Sequence, residues 1–219
     1  MSHTDLTKVK EELTVFFRNS DLFTTTQRGV TTIAAETFTG TGASQVLTLA
    51  HNTVRNIRTV NDGTARTAYN DYTPSYGAST TITGTFASAG ANNISVSYDY
   101  STGTVEKIWP DYPFVETAID SLPRIGLDII SDRTMPIGLG KPNWLSDSLI
   151  SVKVYDKNTK LIDSYISTIR EKILANQILF YYFPVISVKS MGPMLPIEVA
   201  KKKCFEKSID LEGRFRFES

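Results

Sequence analysis

Two histidines, one cysteine and a few spaced carboxylates are the residues in this 219-residue chain whose types invite chemistry. A metal site needs three or four ligating side chains, and short His/Cys/Asp/Glu spacings announce it. His3 lies in the N-terminal tail, and His51 follows "LTLA" at an expected turn. Neither has a partner at ligand spacing, so both read as surface or turn residues. Cys204 follows Lys201, Lys202 and Lys203. Neighbouring cations favour a reactive thiolate, yet no histidine is near in sequence and the segment alternates like a strand. A structural thiol is expected. The three lysines read as a charged edge that blocks unwanted strand pairing, or as a contact for an acidic partner or nucleic acid. Asp128 with Asp132, and Asp156 with Asp163, are carboxylate pairs of the kind a glycosidase or a Mg²⁺ site uses. No acidic cluster accompanies them. "IGLGK" at 137–141 lacks the full phosphate-loop pattern and reads as a flexible loop. The expectation is a chain with no catalytic residues, no metal and no cofactor.

Composition bounds the elements that would position any site. The charged share is 21% and the apolar share 41%, ordinary for a folded protein, and the formal net charge is zero. A basic stripe for nucleic acid is therefore not expected, and a chain with little self-repulsion suits an assembly. The single cysteine excludes an intramolecular disulfide and suggests a reducing compartment. No apolar run is long enough to span a membrane, and "MSHTDLTKVKEEL" lacks the apolar core of a signal peptide, so a cytosolic site of synthesis is expected.

Lysine is absent between Lys10 and Lys107, and 29–104 is rich in Thr, Ser, Gly, Ala and Asn. Such a shift predicts one domain inserted in another: 29–104 within a domain formed by 1–28 and 105–219. The insert reads as all-β. "SQVLTL" and "NIRTV" are β-branched runs, and "TTITGTF" and "NISVSYDY" alternate. "GTG", "NDG", "PSYG" and "AGANN" supply turns. A small β-sandwich or barrel is expected.

In the flanking domain, Leu6, Val9, Leu13, Phe16 and Phe17 share one face of a helix over 4–18. Pro110 and Pro113 rule out a regular helix just after the insert. "RIGLDIISD" reads as a strand, and 131–147, with Pro136, Gly138, Gly140 and Pro142, as a loop with some extended pairing. "ISVKVYDKNTKLIDSYISTIREKI" is a strand running into a helix capped by Asp156, Asn158 or Thr159. Ile162, Ile166, Ile169 and Ile173 form its stripe. "ILFYYFPV" serves the core or an interface. "PVISVKSM" and "KSIDLEGRFRF" close the chain as strands, with a bend or bulge expected at Gly213. The fold class is α+β: a mostly antiparallel sheet packed with helices, interrupted by an all-β sandwich-like insert.

The amphipathic N-terminal helix, "WPDYPFV" leading to a strand, and "ISVKVYDKN" running into "TKLIDSYISTIREKI" together resemble the tail-terminator (tail-completion) proteins of tailed bacterial and archaeal viruses. The insert resembles small β-sandwich modules of phage virion proteins, and typical terminators lack it. The resemblance implies a virion neck protein, made in the host cytoplasm, whose copies close into a homo-oligomeric ring, a hexamer in that family. The ring would cap the tail tube protein, meet the head-closure or connector protein, and pass viral DNA through its lumen without specific binding. It implies no membrane contact. Candidate interface residues are Arg133, Lys141 and Trp144 in the 131–147 stretch, Tyr181 and Tyr182 in the aromatic run, and Lys201, Lys202 and Lys203. Alternatives are a head-closure (stopper) protein, a baseplate or fibre adaptor that would present an exposed Tyr69, Tyr72 and Tyr76 patch, and an enzyme built around Asp128 and Asp132.

Overall fold

A computed structural model describes residues 6–102, 106–110, 122–137, 143–176, 180–181, 185–199 and 202–218. The fold is α+β, and the chain divides into two units: Met1–Leu22 with Lys107–Ser219, and Phe23–Glu106.

The first unit is built on a six-stranded sheet. Helix α1 (Leu6–Asn19) precedes the edge strand β8 (Ile108–Trp109), and β9 (Arg124–Ile137) and β10 (Asn143–Asp156) form a long antiparallel pair. Helix α3 (Thr159–Ala175) comes after them, then β11 (Val185–Met191), β12 (Leu195–Val199) and β13 (Lys202–Glu218). The sheet order is β11-β13-β10-β9-β8, with β12 also paired to β13. Every pairing is antiparallel except β8 with β9.

Period-2 alternation sets which face is buried. Ile125 and Leu127 of β9, Ile150, Val152 and Val154 of β10, and Ile209 and Leu211 of β13 lie in shared cross-strand rows and are fully buried. The isoleucine stripe of α3 is buried with them, and α3 packs on β10, β11 and β13. Asn158 is the cap, its side chain accepting from the Lys160 N–H at 3.0 Å. In α1, Val9, Leu13 and Phe17 are buried, and the Arg18 guanidinium donates to the Ile108 carbonyl at 2.7 and 3.2 Å, tying the helix to the edge strand.

The 131–147 stretch is more regular than a loop with some extended pairing. Its described parts belong to β9 and β10, paired from Asn143↔Ile137 onward. Pro136 is compatible with this because β9 is an outer strand at that level, where a missing N–H breaks no internal ladder. The irregularity expected at Gly213 is also elsewhere. Gly213 pairs in register with Ser148 and Ile186, and the register shifts fall at Ile130 of β9 and Lys189 of β11. Several strands were not evident in the pattern: β8 and β12 here, and those over Val30–Phe38, Ala65–Arg66 and Tyr72–Ser75 in the second unit.

The second unit begins with a single-turn helix, α2 (Thr25–Arg28), closed by a Thr24–Gln27 capping box and by Gly29 at φ +62°. Strands β1 (Val30–Phe38), β3 (Val54–Asn61), β4 (Ala65–Arg66) and β7 (Ile94–Ser101) form one sheet in the order β1-β7-β3-β4. Strands β2 (Ser44–Thr48), β5 (Tyr72–Ser75) and β6 (Thr81–Thr85) form another in the order β2-β6-β5. Ile57, Val96 and Tyr98 of the first sheet and Leu47, Tyr72 and Ile82 of the second share one hydrophobic cluster with Phe86.

A buried ion network joins the ends of this unit. Arg28 is 1% exposed, and Asp99 and Glu106 are 0% exposed. The guanidinium donates from Nε and Nη2 to the two oxygens of Glu106 at 2.9 and 2.8 Å, from Nη1 to Asp99 at 2.9 Å, and from Nη2 to Asn56 at 3.0 Å. Arg58 adds a second donor to Asp99 at 2.7 Å. Beside it, the Thr102 N–H and hydroxyl both donate to the Gly29 carbonyl, so the entering and leaving segments are clasped.

Candidate functional site

The carboxylate pair Asp128 and Asp132 does not converge. Four residues of regular strand would put both on one face. The register shift at Ile130 inserts one extra residue, so Asp128 pairs with Ser151 and Asp132 with Ser148, on opposite faces of the sheet. Asp132 accepts from the Ser146 and Ser148 hydroxyls at 2.5 and 2.7 Å, whereas Asp128 lies 3.5 Å from the Lys10 ammonium. Asp132→Asn is expected to leave the melting temperature within about a degree or two, because an amide oxygen still accepts both hydroxyls and most substitutions of this kind stay near ±0.5 kcal/mol. A thermal melt checks this. The second pair is also divided: Asp156 accepts from the Asn158 N–H, and Asp163 pairs with Lys207 at 2.7 Å.

Cys204 is buried, and burial pushes its thiol up, away from nucleophilic character. Among the described residues no group of three or more His, Cys, Asp or Glu side chains is placed to hold a metal, and no helix is long and apolar enough to cross a membrane. Most of "IGLGK" lies outside the described residues.

His51 has partners that its sequence neighbours did not reveal. Tyr98, 47 residues away on β7, donates its hydroxyl to Glu36 Oε2 at 2.6 Å, and His51 Nδ1 lies 2.9 Å from the same hydroxyl. With the hydroxyl proton directed to Glu36, the hydroxyl oxygen accepts from the Nδ1–H of the imidazole. The imidazole also stacks on Tyr100 at 3.8 Å between centroids. Burial, reinforced by the Glu36 hydrogen bond, raises the Tyr98 hydroxyl well above its ordinary value and keeps it a donor. Tyr98→Phe is expected to cost roughly 1–3 kcal/mol by leaving Glu36 and His51 without their shared partner, read from urea unfolding. The cluster links β1, β7 and the turn after β2, and its residue types alone do not define a reaction.

The tyrosine patch expected of an adaptor is not at the surface. Tyr69 and Tyr72 are buried, and the Tyr76 hydroxyl accepts from the Ile57 N–H at 3.2 Å. Strand β5 turns Tyr72 into the core.

The candidate contact residues are scattered over the first unit. Arg133 is exposed on β9, in a row with Asp147 and Arg214. Trp144 and Lys202 hold strand positions on β10 and β13, and Lys203 is exposed next to buried Cys204. Tyr181 is exposed, and its N–H donates to Glu12 at 2.5 Å. Lys141, Tyr182 and Lys201 lie outside the described residues.

The structure adds a feature that no motif signalled. Large apolar side chains are exposed at both sides of the six-stranded sheet: Ile130 (54%) on β9, Val185 (57%) and Met191 (51%) on β11, and Leu195 (47%) on β12. Exposed apolar groups gathered along unpaired strand edges mark contact surfaces more often than isolated ones do. The remaining polar face of the sheet is internally matched. Arg214 pairs with Asp147 at 2.6 Å, Lys153 with Glu206 and Lys189 with Glu212 at 3.1 Å, and Ser151 and Ser190 both donate to Asp210. Such a face is suited to water.

No family model matches the chain, and no curated protein matches it. This corrects the vocabulary drawn from the resemblance. Virion, bacteriophage, tail terminator, tail completion, neck and head–tail joining have no support in these comparisons. The resemblance rested on an order of elements, and helices on an antiparallel sheet recur in proteins of unrelated function.

Proposed function

We propose that this chain is a structural, non-catalytic subunit that associates with copies of itself, in a closed ring or a longer array, and joins larger protein assemblies. The observation that carries this reading is the exposed apolar side chains on the outer strands β11 and β12 of the six-stranded sheet, with Ile130 of β9 exposed at the other side. The chain's candidate catalytic carboxylates are also spent on structural partners and separated by a bulge. The segment 29–104 is a sandwich-like module in this reading, supported by the single cluster to which both of its sheets contribute. It adds a second body to each subunit.

Sedimentation velocity across a concentration series tests the reading, with electron microscopy of the heaviest species. A discrete or growing oligomer is the expected result. A chain that stays monomeric at its highest soluble concentration, with no partner protein shifting it, overturns it.

A further inference from the structure

We propose that Arg124 is the receptor of an anion-binding site in the first unit, and that its ligand is a carboxylate. The inference goes beyond the self-association reading and does not depend on it.

Arg124 opens β9 and is 3% exposed. Its Nε and Nη2 are buried, and neither has a hydrogen-bond partner. A buried guanidinium has lost its water, so it is costly to hold unless a counter-charge and acceptors replace that water. Arg28, buried to a similar degree, has them: the same two nitrogens donate to Glu106.

The two nitrogens define the ligand. Nε and Nη2 form one edge of the planar guanidinium, and their parallel N–H bonds match the two oxygens of a carboxylate. This chain uses that edge in the same way elsewhere. Arg28 sets it on Glu106, Arg66 on Asp62 at 2.7 and 2.6 Å, and Arg214 on Asp147 with Nε at 2.6 Å. Arg124 presents the same edge with no acceptor among the described residues. The titration directions agree. Burial lowers Arg28, but its carboxylates outweigh that and raise it, whereas burial lowers Arg124 with nothing opposing. One buried cation is balanced by a monoanion. A phosphate dianion would bring a further charge into the same interior.

The main chain on both sides holds the guanidinium in place. Arg124 pairs with Tyr155 of β10, and the next residue, Ile125, donates its N–H to the Lys107 carbonyl at 2.7 Å. Arg124 lies on the sheet face opposite Ile125 and Leu127, in a row with Tyr155 and Glu206. Glu206 stands two strands away in that row and is engaged by Lys153 at 3.1 Å. The ligand's way in is the strand end itself. Arg124 is the first residue of β9, beside the two-residue edge strand β8, and such ends open locally at little cost.

The test is thermal unfolding of the full chain and of Arg124→Met in sodium acetate, against sodium chloride and sodium phosphate at matched ionic strength. In chloride, Arg124→Met should melt at or above the native temperature, because it removes an unpaired buried charge and keeps an apolar stem. In acetate the native chain should melt roughly 3–6 °C above its chloride value at ten times the half-saturating concentration. Arg124→Met should show no such rise, and Arg124→Lys, which keeps the charge and loses the fork, should lose most of it. If acetate has no effect but Arg124→Met, with an unchanged melt, loses self-association in sedimentation, the carboxylate is a side chain of a neighbouring copy and the assignment stands with that source. A lower melt for Arg124→Met in chloride would show a guanidinium already paired within the chain and overturn the proposal. So would phosphate stabilising the native chain more than acetate does, or acetate acting equally on all three chains. Self-association that persists in Arg124→Met, with no acetate effect on the native chain, would remove the site and leave the self-association reading standing.

Discussion

Arg28→Leu is expected to unfold the Phe23–Glu106 unit at a temperature well below that of the native chain. The substitution leaves Asp99 and Glu106 in the interior without their shared cation, and breaking a buried ion pair from one side costs about 3–5 kcal/mol. For a unit of this size that is a large part of the whole folding free energy. The expected signature in calorimetry is an early transition, and hydrogen exchange followed by mass spectrometry should place the loss of protection in residues 23–106. Arg28→Lys keeps the charge but cannot make the two-pronged contact with Glu106, so it should fall between leucine and the native residue. An unchanged melt for Arg28→Leu would mean that the network is not what clasps the unit.

The same network gives the unit an acid limit. Burial pushes the Asp99 carboxyl up, but Arg58 and Thr32 hydrogen bonds and the charges of Arg58 and Arg28 outweigh it and hold it below the ordinary carboxylate range. An acid whose folded pKa is depressed contributes stability that is present above its unfolded value, about 4, and is lost as pH falls through the folded value. Arg28 moves the other way. Burial lowers it, the contacts with Glu106 and Asp99 raise it further, and it keeps its proton throughout. The native unit should therefore weaken only in strong acid, and Arg28→Leu should shift that loss to higher pH.

Ile169→Ala is expected to destabilise the other unit by about 2–5 kcal/mol, the range for emptying a packed aliphatic site. Ile169 is fully buried at the centre of the α3 stripe against the sheet. The reduced stability should appear in denaturant unfolding as a lower midpoint, and in sedimentation as weaker self-association if the sheet edges carry it. Leu161 and Leu174 on the same helix are exposed by 44% and 47%, so Leu161→Ala and Leu174→Ala should each stay within roughly ±0.5 kcal/mol. Equal losses at all three positions would contradict the helix-on-sheet packing.

These effects rest on features read at different levels. The sequence determined the amphipathic first helix, the strand that turns into α3, the isoleucine stripe, and the compositional change near either end of the lysine-free segment, because each is a local pattern of period 3.6 or 2 or a local composition. It also determined which atoms the chain offers for chemistry and how few they are. It did not determine what those atoms meet. Arg28 stands in no motif, and only folding brings it to a glutamate 78 residues away. His51 has no neighbour in sequence that explains it, and Tyr98, whose hydroxyl joins it to Glu36, lies 47 residues away on β7. Asp128 and Asp132 look like a pair until one inserted residue at Ile130 sends them to opposite faces. Proline and glycine near 136–142 suggested a loop because they break internal ladders, yet Pro136 sits on an outer strand where no ladder is broken. Which strand stands at an edge, which bulge flips a face and which apolar side chains are left uncovered are properties of non-local pairing. They are decided by the tertiary structure because the free energies that select them belong to contacts between residues far apart in the chain.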